Sequence, residues 1–368
     1  MKSVDGGTGA FVLSLQKLQK YNFDITTVVL EAPSHRNISA NNVKFFHKKN
    51  FYPQKYAFLP SLVADFIKDA YWFYKINSEI RPSVVIAIDV HCNLISLLVR
   101  FVARLKFKII FTTHINLKQT IQEKSTPLLR KILSRTISTC YNHADILVCS
   151  SELMKRSLRR EYGIKKQIKL IEYGVDSSFA ARQHVKKEDR FKQIVSVGRL
   201  VEQKDFSTLI KAFRVVNDSL KNTRLSIVGE GPLRRQLEQE ARKMGLNGKV
   251  VFRGWKQNVI LDLVKADIFV LSSKREGLPY VLLEALSVGL PIVSTDSPFG
   301  PSEILENGKS GILVKVGDVQ GMAKSIIELI QDNRKYNYFA KKSIERSRHF
   351  SEERMIYGYK VLVDSLEQ

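Results

Sequence analysis

Cysteine is scarce in this chain. Cys92, Cys140 and Cys149 are the only three in 368 residues, and no two stand at a spacing that holds a metal or builds a disulfide framework. That excludes a disulfide-stapled scaffold and a zinc module, and it suits a reducing cytosol. Long apolar runs are missing as well. No stretch reaches the roughly 18 residues that cross a bilayer, and the opening residues do not read as a secretory leader. There are no short tandem repeats and no low-complexity tracts. The modules that read nucleic acid also have no counterpart: no helix-turn-helix signature, no aromatic RNA-binding motif, no zinc spacing. Acidic residues are the last shortage, 36 Asp+Glu against 59 Lys+Arg, which leaves a formal charge of +23.

The basic excess is uneven. Residues 1–175 hold 27 Lys+Arg and 12 Asp+Glu, while the remainder holds 32 and 24, so the two parts carry +15 and +8. With no nucleic-acid module to use it, this charge points to an anionic membrane surface and away from nucleic acid. The expected location is cytoplasmic, peripheral on the inner face of the cytoplasmic membrane. Two segments of the first half stand out. Leu98–Lys108 mixes apolar and basic residues, and Arg156, Arg159 and Arg160 share one face of a predicted helix.

An apolar share of 44% over 368 residues supports two folded domains. The first half alternates strand and helix. Helices are expected over 9–21, 61–78, 94–105, 127–142 and 151–162, and strands over 23–30, 83–88, 108–113 and 145–149. This predicts a parallel sheet with crossover helices. The polar, charged stretch 181–192 separates it from a second alternating set, and the pattern after Asp318 is helical. The fold class is α/β.

The richest segment is Lys274-Arg275-Glu276-Gly277-Leu278-Pro279-Tyr280-Val281-Leu282-Leu283-Glu284-Ala285-Leu286. Ala266–Leu271 reads as a buried strand before it and Pro291–Ser294 as one after it. Glu276–Pro279 reads as a turn, with Pro279 at the first helical position and a helix over Val281–Val288. Glu276 then sits on the loop and Glu284 about one turn inside the helix. The free N–H groups between them favour a phosphate. One carboxylate reaches toward a sugar and the other toward a ribose.

This segment resembles the E-x7-E signature of family 4 retaining glycosyltransferases. Other elements resemble the same family in order and spacing. They are Val195–Leu200 with Lys204, Ile227-Val228-Gly229-Glu230-Gly231-Pro232, Phe252-Arg253-Gly254-Trp255, and the loop Thr295–Ile304. The resemblance is close over 193–316 and loose over nearly the whole chain. It implies the GT-B fold: two Rossmann-like domains facing a central cleft, an N-terminal acceptor domain over 1–176 and a nucleotide-sugar donor domain over 190–350. The last helix, about 352–366, would cross back to the N-terminal domain. It further implies that Arg199 and Lys204 hold the donor diphosphate, that Glu276 holds donor-sugar hydroxyls and that Glu284 holds the ribose. Gly229, Gly254, Gly277, Leu278 and Pro279 would line the nucleotide. The Thr295–Ile304 loop is similar to that of members using a UDP-linked N-acetylhexosamine. His114, after the strand 108–113, matches a family histidine near the donor sugar. Gly6 and Gly7 resemble the first glycine loop, which approaches donor phosphate and acceptor. Asp89 and His91, placed at a strand end, are further candidates for acceptor contact.

The expected reaction is retaining transfer of a sugar from a nucleotide diphosphate to a hydroxyl of a growing, lipid-linked surface glycan. No D-x-D motif stands in a supporting context, so neither metal nor cofactor is expected. A nucleotide-sugar epimerase of the same fold and a non-catalytic glycan- or nucleotide-binding module remain as alternatives. One departure marks the N-terminus. Only Met1–Asp5 precede the glycines, where the family has a full apolar strand, so the first strand is expected to be truncated.

Overall fold

The structure is a computed structural model, and it describes residues 6–29, 43–45, 59–114, 126–176 and 191–367. The chain divides into two units, Met1–Glu172 with Met355–Gln368, and Tyr173–Arg354.

In the first unit the order is α1 (Gly6–Gln16), a 3₁₀ turn (Lys17–Tyr21), β1 (Thr27–Val29), β2 (Val43–Phe45), α2 (Leu59–Ile80), β3 (Val84–Ile88), α3 (Asp89–Val102), β4 (Lys108–Thr113), α4 (Pro127–Asn142), β5 (Ile146–Cys149), α5 (Glu152–Tyr162) and β6 (Ile168–Leu170). β3, β4, β5 and β6 form one parallel sheet in that order, and β1 pairs in parallel with β2 in a separate ribbon. β4 is apolar on both faces because helices cover both. Ile109, Ile110 and Phe111 are fully buried.

Three expectations need correction here. The first helix starts at Gly6, so Gly6 and Gly7 form its first turn and do not precede it as a loop. Glycine serves at a helix start because the first N–H groups have no intrahelical partner to lose. The strand expected over 23–30 shortens to Thr27–Val29 among the described residues. Asp89 and His91 do not end a strand. They stand in the first turn of α3, where His91 Nε2 meets Asp69 Oδ2 at 2.9 Å. The expected truncated strand, Ser3-Val4-Asp5, lies outside the described residues. Among those described, β3 pairs only with β4, and β1 only with β2. A cavity of about 560 Å³ adjoins both strands, lined by Val12, Leu15, Thr27, Ile76, Val84 and Ile86 among others.

The second unit continues with β7 (Lys192–Val197), α6 (Phe206–Ser219), β8 (Thr223–Val228), α7 (Arg234–Lys243), β9 (Val250–Gly254), α8 (Ile260–Val264), β10 (Ile268–Leu271), α9 (Tyr280–Ser287), β11 (Ile292–Thr295), α10 (Pro301–Ile304), β12 (Ile312–Val314), α11 (Val319–Gln331) and α12 (Asn333–Ser347). All six strands are parallel, in the order β12-β11-β10-β7-β8-β9. The order reverses beside β7, and in open α/β sheets ligands bind at the carboxyl edge of such a switch point. The core joins Ile194, Phe213, Leu225, Ile227, Val270 and Val293. The last helix, α13 (Glu352–Glu367), belongs to the first unit from Met355 onward. There Tyr359 is buried against Phe11 of α1, with ring centroids 5.5 Å apart.

Candidate functional site

Because β7 lies between β10 and β8, the loops that leave these three strands emerge side by side at one sheet edge. The first is Gly198-Arg199-Leu200, which runs into a 3₁₀ turn over Glu202–Lys204. The second is Gly229–Pro232. Backbone bonds tie them together: Gly198 N donates to Val228 O at 3.0 Å and Leu200 N to Glu230 O at 2.8 Å. Gly229 has φ +146°, and a Cβ there would stand 2.0 Å from the Gly198 carbonyl oxygen. Only glycine fits that approach. Gly254 ends β9 with φ +74°, and its carbonyl accepts from Gly229 N at 2.8 Å. Of the family-like segment Phe252–Trp255, the part up to Gly254 is strand. Arg234 of α7 reaches back to Glu230 and donates to Glu238 at 2.8 Å.

The third loop carries Glu276. Its carboxylate is buried and its Oε1 lies 2.6 Å from Lys204 Nζ. Ser273 Oγ donates to the same oxygen at 2.5 Å. The loop is fastened to the 3₁₀ turn along its length. Lys274 N donates to Gln203 O at 2.9 Å, Gln203 Nε2 to Arg275 O at 3.0 Å and Ser272 Oγ to Lys204 O at 2.8 Å. From behind, Thr295 Oγ1 donates to Ser273 O at 2.6 Å. The fold therefore joins Lys204 and Glu276, 72 residues apart, in one pair. An ammonium has three donors, and among the described residues Glu276 is the one side-chain partner of the Lys204 ammonium. Arg199 projects from the first loop, exposed and unpaired among the described residues. The site thus offers a free guanidinium and an ammonium with spare donors, suited to a diphosphate.

Pro279 corrects another expectation. It is the N-cap of α9, with φ −69° and ψ 104°, and the helix starts at Tyr280. Its extended ψ turns the chain out of the loop, and the first N–H groups of α9 follow directly. Leu278 is buried. Gly300, at φ +74°, packs on this turn so closely that a Cβ would fall 2.3 Å from Gly277 O and 2.6 Å from Pro279 Cδ. The 295–304 loop is thereby placed against Gly277–Pro279. Tyr280 OH donates to Gly174 O at 3.1 Å, which anchors the start of α9. Glu284 lies one turn along, and burial pushes its carboxyl up to about 8 although the residue keeps part of its surface.

In the first unit, His114 follows β4 and is buried. Its ring lies 4.7 Å from that of Phe11 on α1, and Nε2 lies 2.9 Å from Thr112 Oγ1. Burial lowers its pKa to about 3, so the imidazole is neutral at ordinary pH. Phe11 connects this histidine with the helix that begins at Gly6 and Gly7. Ser272, Ser273, Thr295 and Tyr280 were not legible as site residues. The one signal for the serines is a pair of small hydroxyls closing a strand just ahead of the glutamate, where they bond to nearby backbone and side chains.

Two protein-family models match this chain: Glycosyltransferase Family 4 over residues 6–179 and Glycosyl transferases group 1 over residues 177–346. An uncharacterised glycosyltransferase of Methanocaldococcus jannaschii is 28% identical over 81% of this chain and 83% of its own. The lipopolysaccharide core biosynthesis glycosyltransferase LpsE of Rhizobium meliloti is 33% identical over 52% of this chain, which spans 56% of that protein. Among solved structures, sucrose-phosphate synthase from Thermosynechococcus elongatus superposes with a TM-score of 0.81 at 18% identity, covering 98% of this chain and 94% of that one. Anabaena HepE in complex with UDP and glucose gives 0.78 at 16% identity, covering 99% and 98%. Likeness at such identities establishes the shared fold, GT-B.

Proposed function

We propose, for a chain that belongs to the family 4 glycosyltransferases, that it moves a sugar with retention from a nucleotide diphosphate to a hydroxyl of a growing, lipid-linked glycan. The observation that carries this reading is the Lys204–Glu276 pair beside the free Arg199 and the start of α9. Arg199, the spare donors of Lys204 and the N–H groups of Tyr280 and Val281 face the charge that grows on a departing diphosphate, and such preorganised donors are the largest single source of rate in many enzymes. In the step itself the bond from the anomeric carbon to the diphosphate oxygen breaks, the acceptor oxygen bonds to that carbon, and the acceptor proton passes to the departing phosphate. Glu276, fixed by Lys204 and Ser273, holds donor-sugar hydroxyls, and Glu284 holds the ribose. His114 acts as a neutral hydrogen-bonding group. The cations take the role a metal takes elsewhere, so the reaction is proposed to need none.

The donor is proposed to be a UDP-sugar, with N-acetylhexosamine as the leading sugar. The solved relative HepE was captured with UDP and UDP-glucose, and a matched relative of Campylobacter jejuni is named an N-acetylgalactosaminyltransferase acting on a diphospho-undecaprenol. A lipid-linked acceptor places the protein at the inner membrane surface as a peripheral protein. Among the described residues, no helix is long and apolar enough to cross a membrane.

The test is a panel of nucleotide sugars scored by thermal stabilisation and then by transfer to lipid-linked acceptors. UDP-N-acetylhexosamine is expected to stabilise and to turn over. Glu276→Ala is expected to lower turnover about 100-fold or more, the order of one lost transition-state contact. Stabilisation by GDP- or ADP-sugars alone removes the donor assignment. Interconversion of sugars without acceptor supports the epimerase reading instead, and unaltered turnover in Glu276→Ala removes the site.

A further inference from the structure

We infer that the outer face of the helix layer α2–α3–α4–α5 docks on an anionic lipid bilayer. The inference rests on the reading of a lipid-linked acceptor and names the surface that meets the lipid. The crossovers β3–α3–β4, β4–α4–β5 and β5–α5–β6 all step the same way across the sheet. Right-handed crossovers therefore put α3, α4 and α5 on one side of it. α2 joins the layer beside α3, where Ile95 and Val99 pack against Phe66, Ala70 and Phe73.

With the inner sides so occupied, the outer sides carry an unusual mixture. On α3, Phe101 is 83% exposed and Val102 72%. On α4, Leu128 is 71% exposed, and Ile132 follows it on the same stripe with exposed Lys131 and Arg135. On α2, Ile67, Tyr71 and Tyr74 form an exposed stripe at helical spacing. Large apolar side chains turned outward along a helix, with cations beside them as on α3 and α4, are the pattern of an interfacial helix, whose apolar groups enter the headgroup boundary while its cations meet lipid phosphate.

Charge complementarity selects the partner. Neither the run Leu97–Lys108 nor the whole of α4 contains an acidic residue. Arg104, Lys106 and Lys108 stand exposed just beyond Phe101, and α5 adds exposed Arg156, Arg159 and Arg160 while its Met154, Leu158 and Tyr162 face inward. Arg100 is set apart by its partners: it is held by Asp145 and donates to His143 O, so it belongs to the packing of the fold.

The test is sedimentation of the full chain with vesicles of phosphatidylcholine, with and without phosphatidylglycerol, over a range of salt. Capture is expected on the anionic vesicles only and should fall steeply with salt. Lys131→Gln with Arg135→Gln should lower the partition coefficient about 30-fold, at about 1 kcal/mol for each cation. Phe101→Ser with Val102→Ser should lower it at least about tenfold and leave the salt dependence in place. The rise in melting temperature with UDP should be unchanged in both variants, which shows them folded and competent for donor. Equal capture on both vesicle types, or wild-type capture by both variants, overturns the inference. So does displacement from the vesicles by a single-stranded oligonucleotide, which assigns the face to nucleic acid. Normal vesicle capture with no response to any nucleotide sugar supports this face and sinks the reading of the donor site.

Discussion

At the scale of single residues, the two glutamates of the signature differ in kind. Glu276 is buried but paired, with an ammonium and a hydroxyl on one oxygen. Losing either partner of a buried pair leaves an uncompensated charge. Among the described residues Glu284 has no such partner, and burial lifts its carboxyl from 4.5 to about 8. The sign of its effect on stability follows. Below about pH 4.5 both folded and unfolded chains hold the proton. Between there and about 8 the unfolded chain has released it and the folded chain has not, so stability falls as pH rises through that window. Glu284→Gln mimics the protonated form and removes this dependence. Its melting temperature is expected to lie near that of the wild type at pH 5 and to exceed it by several degrees at pH 8. Parallel curves for the two proteins would show that Glu284 titrates normally.

At the scale of elements, the site is held by backbone approaches more than by side chains. Gly229 and Gly300 each stand where a Cβ would meet a carbonyl oxygen, at 2.0 and 2.3 Å, and both have positive φ. Neither obstacle is the end of a flexible side chain, so neither can move aside. Gly317 has φ +78° and nothing within 4 Å of a Cβ. Gly317→Ala is expected to cost only the left-handed backbone penalty of about 1–2 kcal/mol. Gly229→Ala is expected to cost clearly more and to weaken nucleotide binding, because it forces apart the loops that carry Arg199 and Glu230. Chemical denaturation of both variants checks the order. A smaller loss at Gly229 than at Gly317 would mean that these loops separate freely.

At the scale of the whole molecule, charge is the distinguishing property. The first 175 residues carry +15 of the total +23, with 12 acidic residues against 27 basic ones. Like charges repel, and salt screens them over about 8–10 Å near physiological strength. Calorimetry from low to moderate salt is expected to raise the unfolding transition of the first unit more than that of the second. Equal shifts, or a shift confined to the second unit, would contradict an electrostatic origin.

Much of this was legible from residue order. The helix over 127–142 and the strand over 108–113 begin and end where the structure has them, because proline and apolar periodicity mark those limits locally. The loop of Glu276, the helix behind it and the glycine turn after β8 were legible for the same reason. Their local structure is written in short stretches of contiguous chain. The misplaced starts of α1 and α3 show the limit of such reading: glycine, aspartate and histidine near a strand end serve a loop or a first helical turn equally well. Other facts needed the folded chain. That Lys204 binds the carboxylate of Glu276, that Gly300 closes on Pro279 and that Phe101 turns outward while Val99 turns inward depend on pairing across the sheet and on packing between helices. The sequence determined the elements and the chemistry each one carries, since propensity and charge are local. The tertiary structure decided which of those groups meet and which face water, since strand order and crossover hand bring distant residues together and local sequence contains neither.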